Sequence, residues 1–80
     1  MSLPLYLHLG GHLNYYDQQS RPRLEIDLHS RARLVDLLER LRIPEGEIYL
    51  TALNGELVDL PECWVQPGDR VELFPPMGGG

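Results

Sequence analysis

Few side chains in this sequence are placed to do chemistry. The three histidines, His8, His12 and His29, match no metal-ligand spacing, and no metal site is expected. His8 and His29 do fall at outward positions of neighbouring strands, where they could come close. Cys63 has no histidine or cation beside it to favour the thiolate, and next to Trp64 it reads as a small packed residue. No Ser/His/Asp set or paired-carboxylate signature is present. Gly10-Gly11 lacks the following helix that a phosphate cradle requires. The reactive group left is the main chain at Gly80. A terminal carboxylate ionises near a pKa of about 3.5 and is a poor electrophile. By attacking the α-phosphate of ATP it becomes an acyl-adenylate, from which a sulfur donor can displace AMP. The product, a thiocarboxylate, is a better nucleophile than the carboxylate and stays tethered to the chain.

Elements that could present such a group lie just before it. A run of glycines alone reads as a frayed end, because glycine loses the most freedom on ordering and packs no side chain. Here Gly78, Gly79 and Gly80 follow Pro75 and Pro76, which favour an extended backbone. Six residues at about 3.3 Å each give a reach of roughly 20 Å. Upstream, Gln66-Pro67-Gly68-Asp69-Arg70 reads as a turn. Arg70 to Phe74 alternates polar and apolar, as a strand does. The expectation is a folded domain over residues 1–75 and a flexible arm over 76–80, thin enough to thread into a catalytic cleft on another protein.

The remainder of the chain divides by periodicity. Leu3, Leu5, Leu7 and Leu9 alternate as a first strand, residues 10–22 form a long hairpin loop, and residues 23–29 form a second, antiparallel strand. Ser30 is placed to cap a helix over 31–42, with Leu34, Leu37, Leu38 and Leu41 on one face and Asp36 set to pair with Arg40. Pro44 and Gly46 stop it. Residues 48–53 form a third strand, Asn54-Gly55 marks a hairpin turn, and residues 56–58 form a fourth. Residues 60–65 are irregular, with room for a helical turn. The class is α+β: a mixed sheet of about five strands packed on one main helix, in ββαβββ order.

Composition narrows the setting. Eighty residues with 42% apolar and 24% charged side chains suit one small folded domain. A net charge of −5 argues against nucleic acid, which calls for clustered cations. No apolar run is long enough to cross a membrane, and no secretory leader is visible. A single cysteine fits a reducing compartment, so the cytoplasm is the expected location. All seven cations are arginine, which leaves no side-chain amine for isopeptide links between copies.

The ββαβββ order, Asn54-Gly55, Pro67-Gly68-Asp69-Arg70-Val71, and Leu73-Phe74-Pro75-Pro76 ending in glycines resemble the ubiquitin-like sulfur carriers of the MoaD/ThiS family. The resemblance spans the whole domain and is sharpest over residues 54–80. It implies a β-grasp fold and a protein that is not an enzyme but a sulfur-carrying substrate of partner enzymes. Gly80 would be adenylylated by a ubiquitin-activating-type adenylyltransferase, which uses ATP, and then receive sulfur from a donor enzyme. No cofactor would be bound tightly. Phe74-Pro75-Pro76 is most similar to the small subunit of molybdopterin synthase, which implies a large-subunit-like acceptor; a thiazole-synthase-like acceptor is the thiamine alternative. Two departures are the third terminal glycine and the Gly-, Asn-, Tyr- and Gln-rich loop at 10–22.

Ordering Gly78 to Gly80 in a cleft costs about 3–6 kcal/mol, so the globular surface must contribute to docking. With Val71 and Leu73 in the core, Phe74 points outward beside the arm. Tyr6 and Leu53 are the other expected outward anchors, with Pro75 and Pro76 in the same contact. Two other functions share these residues: a ubiquitin-like modifier joined to target lysines, and a non-covalent adaptor that uses only the sheet.

Overall fold

Leu5, Leu7 and Leu9 project from one side of the first strand into the core, with Tyr6 and His8 on the other side. The computed structural model describes residues 3–76. The elements are β1 (Leu5–Leu9), β2 (Arg23–Ile26), β3 (Ala32–Arg33), α1 (Leu34–Leu41), β4 (Leu50–Leu53), β5 (Glu56–Val58), β6 (Trp64–Val65) and β7 (Arg70–Phe74). Short 3₁₀ turns occupy Gly11–Tyr16, Glu45–Glu47 and Leu60–Glu62. Five strands form one mixed sheet in the order β2-β1-β7-β4-β5, and β3 pairs with β6 beside it. One helix over a mixed five-stranded sheet is the β-grasp arrangement expected.

The core lies between α1 and the sheet. Leu34, Leu37 and Leu38 meet Leu5, Leu7, Leu9, Val71 and Leu73, all buried, and burying one such side chain favours folding by about 1.5–3 kcal/mol. β7 runs through the middle, parallel to β1 and antiparallel to β4. Two turns fix its start. At its start Pro67 precedes Gly68 (φ 91°), and Asp69 N–H donates to the Gln66 carbonyl at 3.1 Å. Asn54 (φ 51°) and Gly55 (φ 87°) close the β4–β5 hairpin, both in the left-handed region that a two-residue turn requires.

Several local expectations are corrected. The helix starts at Leu34 rather than Arg31, and Ser30 does not cap it. Residues 32–33 are instead drawn into pairing with Val65 and Trp64. Arg31 stacks 4.6 Å from the Trp64 ring centre, and Leu34 N–H donates to the Cys63 carbonyl at 3.0 Å. The helix ends before Pro44. Arg42 turns into the left-handed region (φ 61°), and Ile43 N–H reaches back to the Leu38 carbonyl at 2.9 Å, a Schellman closure. Asp36 and Arg40 do not form an ion pair; among the described residues the one Arg–carboxylate pair is Arg21–Asp17. The 10–22 loop is partly helical and is anchored by Leu13, which is fully buried.

Candidate functional site

The end of β7 is held from both sides. On one side Gly10 N–H donates to the Leu73 carbonyl at 2.8 Å; on the other Tyr49 N–H donates to the Phe74 carbonyl at 2.7 Å. Pro75 and Pro76 then have no N–H to offer either neighbour, so the ladder stops there. The chain leaves the sheet at a defined point, between the turn that follows β1 and the turn that precedes β4.

Gly10 and Gly11 form the floor of that exit. A Cβ on Gly10 would stand 2.8 Å from the Leu73 carbonyl oxygen and 3.2 Å from Cδ1 of Phe74. One on Gly11 would stand 2.6 Å from Cγ of Pro75. The glycines therefore let residues 73–75 lie directly on the backbone. A 3₁₀ turn does follow them, contrary to expectation, but their close approach is to the chain's own arm. Beyond them, His12 Nε2 and Glu47 Oε2 stand 3.9 Å apart. These residues belong to the two turns that flank the exit, so the contact bridges them.

The strand register sorts the expected anchors. Phe74 is half-buried on the outward face, opposite Leu50 in β4. Leu53 is opposite Val71 and shares its core-facing side, which corrects the outward placement. Leu50 takes the outward position instead, and exposed Tyr49 and Leu57 lie near it. Tyr6 does face outward, but its partner is Arg70, at the far end of β7 from Phe74. Four residues of strand, roughly 13 Å, separate the two positions. Pro75 is half-buried and Pro76 exposed at the exit. The expected reactive and threading residues, Gly78, Gly79 and Gly80, lie outside the described residues.

The other titratable groups are not drawn into a site. β1 and β2 pair Leu5 with Ile26 and His8 with Arg23, so His8 and His29 fall at opposite ends of the pair. His8 lies 3.9 Å from Glu72, and His29 lies 3.3 Å from Asp27. Among the described residues no group of three or more His, Cys, Asp or Glu side chains is arranged to hold a metal. Burial pushes the Cys63 thiol up, and the Asp69 carboxylate adds to the effect; this is the opposite of what a nucleophilic cysteine requires. No described helix is long and apolar enough to cross a membrane.

Gly10-Gly11, Tyr49 and Leu50 were not legible as site residues. The first reads in sequence only as an interruption of β1. Its signal was positional: a glycine pair at the end of a strand that neighbours the Phe-Pro-Pro strand.

A β-grasp domain whose central strand ends in a clasped, proline-stiffened exit belongs to the ubiquitin-like class of carriers. Within that class the ThiS family model matches residues 13–80, and the chain belongs to the ThiS family. Proteins of this type are sulfur carriers, of thiamine or molybdopterin biosynthesis, rather than catalysts. The chain is similar to the thiamine biosynthesis protein ThiS of Geobacter metallireducens, at 26% identity over 94% of this chain and 99% of that one, with a TM-score of 0.56. Its fold is also similar to a chain in the complex of subunits 1 and 2 of the molybdopterin-converting factor of Helicobacter pylori 26695. The TM-score is 0.61, at 23% identity over 98% of this chain and 100% of that one. No curated protein sequence matches.

Proposed function

We propose that the Gly80 carboxylate is the sulfur-carrying group and that the acceptor is of the molybdopterin-synthase type. The observation that carries this reading is the exit of Phe74-Pro75-Pro76 from the central strand, hydrogen-bonded on both sides up to the Phe74 carbonyl. In the activating partner, a carboxylate oxygen of Gly80 attacks the α-phosphate of ATP and pyrophosphate leaves. Sulfur at the sulfide level, delivered by a donor enzyme, then attacks the acyl carbon, and AMP leaves with the bonding pair. The resulting thiocarboxylate enters the acceptor's cleft. The outward side chains of Phe74 and Leu50, with exposed Tyr49 next to Leu50 in the chain, offset the ordering cost of the arm by docking against the acceptor's surface.

Transfer to a thiazole-forming enzyme is the second reading, favoured by the 26% identity to the Geobacter protein. Intact-mass measurement on protein isolated from its native cells tests the carrier chemistry. A mass increase of one oxygen-to-sulfur exchange at the C-terminal residue is the expected result, and a ladder of lysine conjugates would point to a modifier. Full function after deletion of Gly79-Gly80 would overturn both covalent readings. Mixing the thiocarboxylated protein separately with a molybdopterin-synthase large subunit and with a thiazole synthase distinguishes the acceptors. Sulfur loss with the second alone would overturn the molybdopterin assignment.

A further inference from the structure

We propose that Gly10-Gly11 is a positioning element that sets the direction in which the chain leaves the domain after Pro75, and so governs how Gly80 is presented to the activating partner. This rests on the carrier reading above. The two glycines precede residues 13–80, the segment matched by the family model, so the inference comes from the geometry of this chain.

Backbone conformation favours glycine at residue 11 but is not the whole of the requirement. Gly11 has φ +52°, but Ser20, Arg42 and Asn54 occupy the same left-handed region with side chains, at φ 54°, 61° and 51°. What distinguishes Gly11 is its neighbour: an added Cβ would meet Pro75 Cγ at 2.6 Å and Cδ at 3.2 Å. At Gly10, whose φ is −75°, the obstruction would again be the arm, through the Leu73 oxygen and the Phe74 ring. A side chain at either position forces a shift, against the Leu73 carbonyl at residue 10 and against the Pro75 ring alone at residue 11. The shift falls on the first of two prolines, whose ring fixes φ and so passes a change of position into a change of direction. A displacement of an ångström at a reacting group suffices to lower rate by about a hundredfold.

The geometry also separates this role from a merely structural one. Asn tolerates the left-handed region better than most residues, so Gly11→Asn keeps the turn while introducing the Cβ against Pro75. Removing the ring in Gly11→Asn/Pro75→Ala relieves that contact. Each full-length variant is to be produced in native cells lacking the acceptor, with the time course of thiocarboxylate formation followed by intact mass and its urea midpoint measured in parallel. Proton NMR reads the seat directly. Gly10 lies beside the Phe74 ring, where an added Cβ would stand 3.2 Å from Cδ1, so its α-protons report on that ring, and Overhauser contacts should join residue 11 to Pro75.

Gly11→Asn should lower the rate of thiocarboxylate formation ten- to a hundredfold with a near-unchanged urea midpoint. It should also shift the Gly10 α-protons and lose its native contacts to Pro75, and the double variant should recover most of the rate. Formation at the wild-type rate in Gly11→Asn overturns the proposal. So does a loss that follows the urea midpoint and is not restored by Pro75→Ala, or a variant in which the NMR markers of the seat are unchanged. Absence of thiocarboxylate from the wild-type protein would instead overturn the carrier reading. The NMR markers would still decide whether Gly11 sets the seat of the arm.

Discussion

Asn54 and Asp69 are joined across the sheet by a hydrogen bond of 3.1 Å from Asn54 Nδ2 to Asp69 Oδ1. Asn54 thereby ties the β4–β5 turn to the turn that launches β7. Its Oδ1 also accepts from Arg70 N–H at 2.9 Å, and its own N–H donates to the Arg70 carbonyl at 2.8 Å. One residue closes a hairpin and fixes the start of the strand that carries the arm.

Replacing Asn54 by alanine removes both side-chain bonds and places a residue poorly suited to φ 51° in the turn. The expected cost is about 1–3 kcal/mol, read as a lower urea midpoint. Asn54→Gly keeps the conformation and loses only the side-chain bonds, so it should cost less. Equal losses in the two variants would show that turn conformation contributes nothing.

Acid should loosen the 14–21 loop before it unfolds the domain. Hydrogen bonds from the Arg21 side chain and backbone N–H hold Asp17 down, from the ordinary 3.8 to about 2, with the Gln19 N–H adding to the effect. A carboxyl whose pKa is depressed on folding contributes stability above its unfolded value and loses it as pH falls through the folded one. Amide exchange at Gln19 and Arg21 should therefore accelerate between pH 3.8 and 2. Asp17→Asn should abolish that pH dependence, and its persistence in the variant would assign it to another group.

Leu13→Ala should destabilise the domain by about 2–5 kcal/mol, although residue 13 sits in a loop by sequence. Its side chain is fully buried against the core. Chemical denaturation measures the change, and a loss below about 0.5 kcal/mol, the surface range, would remove Leu13 from the core.

The β4 register makes neighbouring leucines unequal. Leu53→Ala should cost about 1–2 kcal/mol of stability, scaled down for its partial exposure, while Leu50→Ala should stay within about 0.5 kcal/mol. Leu50→Ala should instead weaken acceptor binding, measured by titration calorimetry. Reversal of the two effects would restore Leu53 to the outward face.

The contrast at β4 also marks where sequence reading ran out. β1, β5 and β7 were legible because apolar alternation or a turn signal bounded each one. In β4 the core-facing positions are Thr51 and Leu53, and buried Thr51 breaks the apolar pattern, so alternation gave no parity. Strand β3 was hidden for another reason. Its two residues follow a good capping serine, and only pairing with Val65 and Trp64, more than thirty positions away, makes them extended. The end of β7 was visible from Phe74-Pro75-Pro76, but the seat of Pro75 on Gly10-Gly11 is a long-range contact with no local periodicity to announce it.

Placing β7 between a parallel and an antiparallel neighbour has a mechanical consequence. A force drawing Pro76 away along the strand axis loads the hydrogen bonds to β1 and β4 together, in shear, rather than one after another as in peeling an edge strand. A pull applied at Pro76 is therefore shared between two ladders, and the domain behind it keeps its shape.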